Sequence, residues 1–145
     1  MRRTMGGLFV SIVLLALCLA GCRGGGTGAI DVSTLAGKTW VLVSLDGKPV
    51  LEGTRVILEF SPAEGGIAGS GGCNHYFGNF VLKGEELTIS ALGMTEMYCM
   101  DPAGVMEQEK SYLDALGAAK SVQVVDGQLR ITYGGGATLV YDTES

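Results

Sequence analysis

From Lys38 onward the chain alternates short apolar runs with turn-forming residues. Lys38 to Leu45 (KTWVLVSL) predicts a strand rich in Val, Leu and Trp, and Arg55 to Phe60 (RVILEF) predicts a second. Asp46-Gly47, directly after the first, is a hairpin signal, because a tight primed turn needs two positive φ values and these residues tolerate them. Ser61 to Gly66 reads as a turn. Ile67 to Gly72 reads as a Gly-rich strand with close backbone neighbours. Tyr76 to Leu82 and Leu87 to Ala91 predict two more strands, separated by a turn at Lys83-Gly84.

The period then changes. Val105, Met106, Tyr112, Leu113 and Leu116 fall on one face at helical spacing, while Glu107, Glu109 and Lys110 point outward. Asp101 suits an N-cap, Pro102 a first helical position and Gly117 a C-cap. Beyond this helix Ser121 to Val125 and Gln128 to Tyr133 flank a second hairpin signal, Asp126-Gly127. Gly134-Gly135-Gly136 leads into a last strand, Ala137 to Tyr141. The sum is seven or eight short antiparallel strands with one inserted helix. Such a set must close or sandwich to protect its edges, with the helix plugging or covering one side, so the expected class is mainly β and antiparallel.

The first residues follow a different pattern. Arg2 and Arg3 are followed by an uncharged stretch from Gly6 to Ala20, with an apolar centre from Leu8 to Leu15. This is signal-peptide length and short for a membrane span. It ends at Leu19-Ala20-Gly21-Cys22, which resembles the lipobox of bacterial lipoproteins. The resemblance implies cleavage before Cys22, a diacylglyceryl thioether on its sulfur, and acylation of the new amine. The expected divisions are a signal peptide over 1–21, a lipidated Gly-rich tether over 22–32 and a globular domain over 33–145. A tether of about ten such residues reaches roughly 17 Å as a flexible coil. Arg23, rather than Asp, follows the lipidated position. In a two-membrane bacterium that habit of sorting implies an outer-membrane lipoprotein facing the periplasm.

Composition sharpens this picture. Of 145 residues, 47% are hydrophobic, 7% aromatic and 24 are Gly, which suits a turn-rich β domain better than a helix bundle. The formal charge of −5 becomes more negative once a leader carrying Arg2 and Arg3 is removed, so the domain has no field to hold a nucleic acid. Of four Cys, Cys18 would leave with the leader and Cys22 would take the lipid. Cys73 and Cys99 remain, in a compartment that permits disulfides, and are expected to be bonded. Two reduced thiols or a metal-binding pair are the alternatives.

Three segments resemble a family. Leu35-Ala36-Gly37-Lys38-Thr39-Trp40 looks like its opening L-x-G-x-x-W. Gly71-Gly72-Cys73-Asn74-His75-Tyr76-Phe77-Gly78-Asn79-Phe80 looks like its G-C-N-x-(aromatic)-x-G-x-(aromatic) centre. Met94-Thr95-Glu96-Met97-Tyr98-Cys99, followed by the helix, looks like its T-x-M-x-C segment. Together they resemble the META domain, or HslJ-like, family over about Leu35 to Tyr141. The resemblance makes Trp40, Gly72, Asn74, Gly78, Thr95 and Met97 the structural motif residues. It implies a partly open β-barrel with a helix, in heat-inducible or envelope-stress lipoproteins, some of which affect tolerance to a hydrophobic antibiotic. No catalytic activity is established for the family.

Against that background the reactive residue types have bland roles. A Cys–His nucleophile from Cys73 and His75 needs a free thiolate with a base beside it, which a disulfide to Cys99 removes. No enzyme, cofactor or resident metal is expected. Asn74, after Gly-Gly-Cys, is expected to bond local amides and hold a tight bend, with Gly69, Gly71, Gly72 and Gly78 allowing bulges or crossings. Met94, Met97 and Met100, with Met106, Cys99 and His75, offer soft ligands for Cu(I) as an alternative, but methionine more often fills irregular cores. Trp40, Tyr76, Phe77, Phe80 and Tyr98 are expected in the core, with an apolar ligand cavity as the alternative. The expected function is therefore a lipid-anchored, non-enzymatic envelope protein that binds an envelope partner, the alternative being a carrier of a lipid or apolar small molecule.

Overall fold

The computed structural model describes residues 29–144. The leader, Cys18, Cys22 and most of the predicted tether lie outside the described residues. Among the described residues two helices and nine strands follow one another: α1 (Val32–Leu35), β1 (Thr39–Leu45), β2 (Lys48–Pro49), β3 (Ile57–Ser61), β4 (Gly66–Ser70), β5 (His75–Lys83), β6 (Glu86–Met94), α2 (Val105–Gly117), β7 (Ala119–Val125), β8 (Gln128–Tyr133) and β9 (Ala137–Glu144). Eight of the strands form an antiparallel ring in the order β1-β3-β4-β5-β6-β7-β8-β9, closed by pairing of β9 with β1. The fold is thus the expected small barrel with one inserted helix.

The extra strand, β2, shares an edge of β1 with β3. Ser44 and Leu45 pair with Pro49 and Lys48, whereas Trp40 and Val41 pair with Leu58 and Ile57. Asp46-Gly47 therefore turns the chain into a two-residue strand before a loop carries it to β3. Both predicted Asp-Gly turns take positive φ at each residue, 49° and 75° at Asp46 and Gly47, 53° and 82° at Asp126 and Gly127. The ring has one thin seam. A single register pair, Glu86 with Ser121, joins β6 to β7. α2 connects those two strands and packs against β6 and β8.

Alternation along the strands sorts side chains between the barrel interior and the outside. In β5, Tyr76, Gly78 and Phe80 are buried and His75, Phe77, Asn79 and Val81 are exposed. Trp40, Leu58, Tyr112, Leu129, Ile131 and Tyr141 are wholly buried, and each such large side chain adds roughly 1.5–3 kcal/mol of hydrophobic stabilisation. Trp40 Nε1 donates to the Leu35 carbonyl at 3.0 Å, fixing α1 across one end of the barrel. Asp31 caps α1 by accepting from Ser33 N–H at 2.8 Å, and Ile30 and Val32 pack against the core, so the packed residues extend N-terminal of Ser33.

The start and end of α2 differ from expectation. The helix begins at Val105 behind Gly104, whose φ is 90°, not at Asp101-Pro102. The preceding residues 95–99 are tied to the loop between β4 and β5 by Asn74 and by the Cys73–Cys99 disulfide, and the chain must turn through 101–104 before a helix can start. At the other end Gly117 is the last helical residue and Ala118 the cap. A Cβ on Gly117 would stand 3.3 Å from Leu92 Cδ1, so its smallness serves packing, not a left-handed cap.

Candidate functional site

Four of the six motif residues, Gly72, Asn74, Thr95 and Met97, converge where three segments meet: the loop Gly71–Asn74 between β4 and β5, the extended stretch Thr95–Cys99 after β6, and Glu109 on α2; Trp40, bonded to Leu35, and Gly78, within β5, lie outside this cluster. Asn74 is buried and lies at the centre. Its Oδ1 accepts from Met97 N–H and from Thr95 Oγ1, both at 2.7 Å. Its Nδ2 donates to the Met97 carbonyl at 3.1 Å and to Glu109 Oε1 at 2.6 Å. The orientation of the amide follows from its neighbours: the Met97 N–H can only donate, so the oxygen must face it. Asn74 therefore bonds a segment more than twenty residues away rather than the local amides that its position suggested.

Glu109 completes the arrangement. Its Oε2 accepts from the backbone N–H groups of Cys73 at 3.0 Å and Asn74 at 2.6 Å. The sequence placed Glu109 on the outward face, but it is 1% exposed. The signal was present in its spacing: Val105, Glu109, Tyr112 and Leu116 are separated by four, three and four residues, one buried stripe. The carboxyl is tolerated there because the loop opposite offers three N–H donors at once. Gly71 makes room for it, since a Cβ there would lie 2.6 Å from Glu109 Cγ and Oε2. Gly72 has a φ of 115°, which a side chain would strain. Gly78 sits at the register shift between Phe77 and Asn79, where a Cβ would meet Leu92 Cδ2 at 2.9 Å.

A disulfide joins Cys73 to Cys99, with Cα atoms 5.9 Å apart. Cys73 and Cys99 thus hold the same two segments that Asn74 holds. His75 contributes its backbone, donating from N–H to Thr95 Oγ1 and accepting from Thr95 N–H, while its side chain is exposed. No buried side-chain polar atom among the described residues lacks a partner. The network clasps two loops to a helix, and its groups are engaged with one another.

The methionines do not fill the core. Met94, Met97 and Met100 are 48%, 50% and 83% exposed, and Tyr98 is 80% exposed. The backbone of Met97 is what the clasp uses, and its side chain is left outside. Cys99, the thiolate a Cu(I) site would recruit, is in the disulfide, and its N–H lies 3.4 Å from Met106 Sδ. Of the five aromatics, Trp40, Tyr76 and Phe80 are core residues, whereas Phe77 and Tyr98 are outside. Beside the clasp, between the end of β6 and the outer side of α2, lies an open groove of about 740 Å³. Leu92, Met94, Met106 and Leu113 form its apolar lining, with Glu107 and Asp114 also along it.

The META domain family model matches residues 33–145. This chain belongs to the META domain family. It is similar to heat shock protein HslJ of Escherichia coli (strain K12), at 30% identity over 121 residues, covering 83% of this chain and 85% of that protein. An NMR structure of a protein from Burkholderia xenovorans superimposes with a TM-score of 0.60 at 26% identity, covering 100% of this chain and 99% of that one. A second NMR structure gives a TM-score of 0.62 at 30% identity, covering 78% of this chain and 94% of its own. Within this META domain the clasp is formed by the G-C-N and T-x-M-x-C segments together, with a helical glutamate as the third party.

Proposed function

We propose that this META domain is displayed on a bacterial envelope membrane by a lipid on Cys22 and serves stress tolerance there as a binding module without catalysis of its own. The observation that carries the binding-module part is the filled barrel. Trp40, Tyr112 and Tyr141 are wholly buried inside it, with Tyr76 and Leu58 beside them, so the interior is occupied by side chains and a partner is met on the outer surface. This favours an adaptor over a carrier of lipid or apolar small molecules. The lipobox-like Leu19-Ala20-Gly21-Cys22 supports the anchor, and Arg23 supports the outer membrane in a two-membrane host. Similarity to a protein named for heat shock supports the stress setting.

Two measurements test this. Intact-mass analysis of the membrane fraction should show a chain beginning at a triacylated Cys22, and Cys22→Ala should leave the membrane. A deletion strain should lose tolerance to heat or to hydrophobic antibiotics, and the anchored form alone should restore it. An unmodified Cys22, or full rescue by Cys22→Ala, refutes the anchored role. Native mass spectrometry of the purified protein should show no stoichiometric lipid inside the barrel, and finding one would favour the carrier.

A further inference from the structure

We infer that the groove between β6 and α2, with the adjoining Met94–Met100 stretch, receives the apolar face of a cationic amphipathic helix presented by an envelope partner. This rests on the binding-module role proposed above and assigns it a surface and a partner chemistry.

The surface concentrates the exposed apolar side chains. Four of the eight large exposed apolar side chains among the described residues, Met94, Met97, Tyr98 and Met100, fall within seven residues of sequence. Met94 also lines the groove beside Leu92, Met106 and Leu113. Exposed apolar side chains concentrated beside an apolar groove are the kind of surface that marks an interaction site. Unbranched thioethers suit it to helical ligands, because they repack around different side chains.

The net charge around it is negative. Residues 95–104 contain Glu96 and Asp101 and no Lys or Arg. Glu107 lies along the groove, and Lys110, the one basic residue there, is paired with Asp114 at 2.6 Å, so that pair adds no net charge and Glu107 joins Glu96 and Asp101 as the acids of the margin. An apolar strip flanked by acids is complementary to a helix with an apolar stripe and a basic margin, and repels an anionic lipid surface.

The stretch is also held ready. Its backbone is fixed by Asn74 at Met97 and by the disulfide at Cys99, so its exposed side chains project from a pinned chain and little ordering remains to be done on binding. Its place in the barrel fits an anchored module. Residues Ile30 to Val32 lie beside Phe80, Leu82 and Gly84, at the far end of β5 from His75, about 23 Å along the strand. The chain thus enters at one end of β5, and the Met-rich stretch stands at the other.

The test uses the full chain in phosphatidylcholine nanodiscs, titrated with a fluorescent Leu/Lys amphipathic helix of about five turns. Controls are a scrambled peptide of the same composition and a version with Glu for Lys. The amphipathic Lys peptide should bind at least roughly tenfold tighter than either control. Met94→Gln and Glu107→Lys, whose side chains are exposed or at the rim, should each weaken it severalfold with unchanged melting. Equal binding of the scrambled peptide, indifference to both variants, or a preference for anionic vesicles over the peptide overturns the proposal. Its failure is separable from failure of the anchored role. A chain that fractionates with membranes but ignores the peptide loses the groove alone, and a soluble chain that binds it loses the anchor alone.

Discussion

Asn74 and Glu109 meet side chain to side chain at 2.6 Å, thirty-five residues apart in sequence, and neither could be satisfied without the other. Asn74 turns its oxygen to Thr95 and Met97, which leaves its amide protons needing acceptors. Glu109 supplies one oxygen to that amide and gives the other to the Cys73 and Asn74 N–H groups. The pair thereby fixes a loop, an extended segment and a helix in one buried polar unit.

That dependence sets the cost of a conservative change. Glu109→Gln keeps the shape but replaces one acceptor oxygen with an NH₂ group. Whichever way the new amide points, at least one N–H would face another N–H, and flipping Asn74 to relieve it would break the bonds to Met97 and Thr95. The expected loss is about 3 kcal/mol, since a buried donor is left without an acceptor. Urea unfolding of the variant checks it. A midpoint equal to that of the parent would show that the clasp contributes nothing.

A second buried chain runs through the tyrosines. Tyr76 Oη donates to the Ile57 carbonyl at 2.8 Å, so toward Tyr112, at 2.7 Å, it can only accept. Tyr112 therefore donates to Tyr76, and Tyr141 donates to Tyr112 at 3.3 Å. Tyr141→Phe removes the first donor and leaves the rest paired, an expected loss of about 1 kcal/mol. Tyr76→Phe takes the acceptor from Tyr112 and a donor from Ile57, an expected loss of about 3 kcal/mol. Equal losses in the two variants would contradict this order of donors.

The same hydroxyls predict a limit in alkali. Burial pushes Tyr76, Tyr112 and Tyr141 well above the ordinary tyrosine value of 10.0, and repulsion from a neighbouring tyrosinate adds to it, opposed in part at Tyr112 by its hydrogen bond with Tyr76 and at Tyr141 by its hydrogen bond with Tyr112. The folded state binds these protons more tightly than the unfolded chain, so their contribution is complete below about pH 10 and is lost as pH rises beyond it. Three such groups give a slope of up to ~4 kcal/mol per pH unit. Denaturation midpoints measured from about pH 9 to 11 should fall steeply, and Tyr112→Phe should flatten the fall. An identical slope in that variant would assign the alkaline limit to other groups.

How far the sequence foretold these features depends on the range over which each is set. The Asp-Gly turns, the strand alternation of β5 and the buried stripe of α2 are local, and a window of a few residues contains their cause. The closure of β9 on β1, the single-pair seam at Glu86 and the two-residue β2 depend on where distant segments land. So do the start of α2 at Val105, set by the clasp upstream, and the partners of Asn74, set by Thr95 to Met97. Glu109 was misplaced because a carboxyl in a buried stripe makes sense only once the opposing N–H groups are known. The methionines were misplaced because apolar type predicts burial, whereas at Met97 the backbone is needed inside and the side chain is free to point out.

The clasp and the disulfide tie the same segments by independent means, and their roles should separate. Removing the disulfide with Cys73→Ala and Cys99→Ala releases a closed loop of 26 residues' separation and should cost about 3.5 kcal/mol, mostly by freeing the unfolded chain. It leaves Asn74 bonded to Met97, so the Met97 amide should stay protected from hydrogen exchange in the folded protein. Asn74→Ala has the opposite signature. The disulfide remains, yet Met97 N–H loses its acceptor, the Glu109 carboxyl loses a donor, and exchange at Met97 should accelerate toward that of an open loop. Residue-resolved exchange of the two proteins, compared at equal distance from their unfolding midpoints, decides between the ties. If Met97 loses protection in the cysteine variant and keeps it in Asn74→Ala, the covalent bond places the segment and the amide network merely follows.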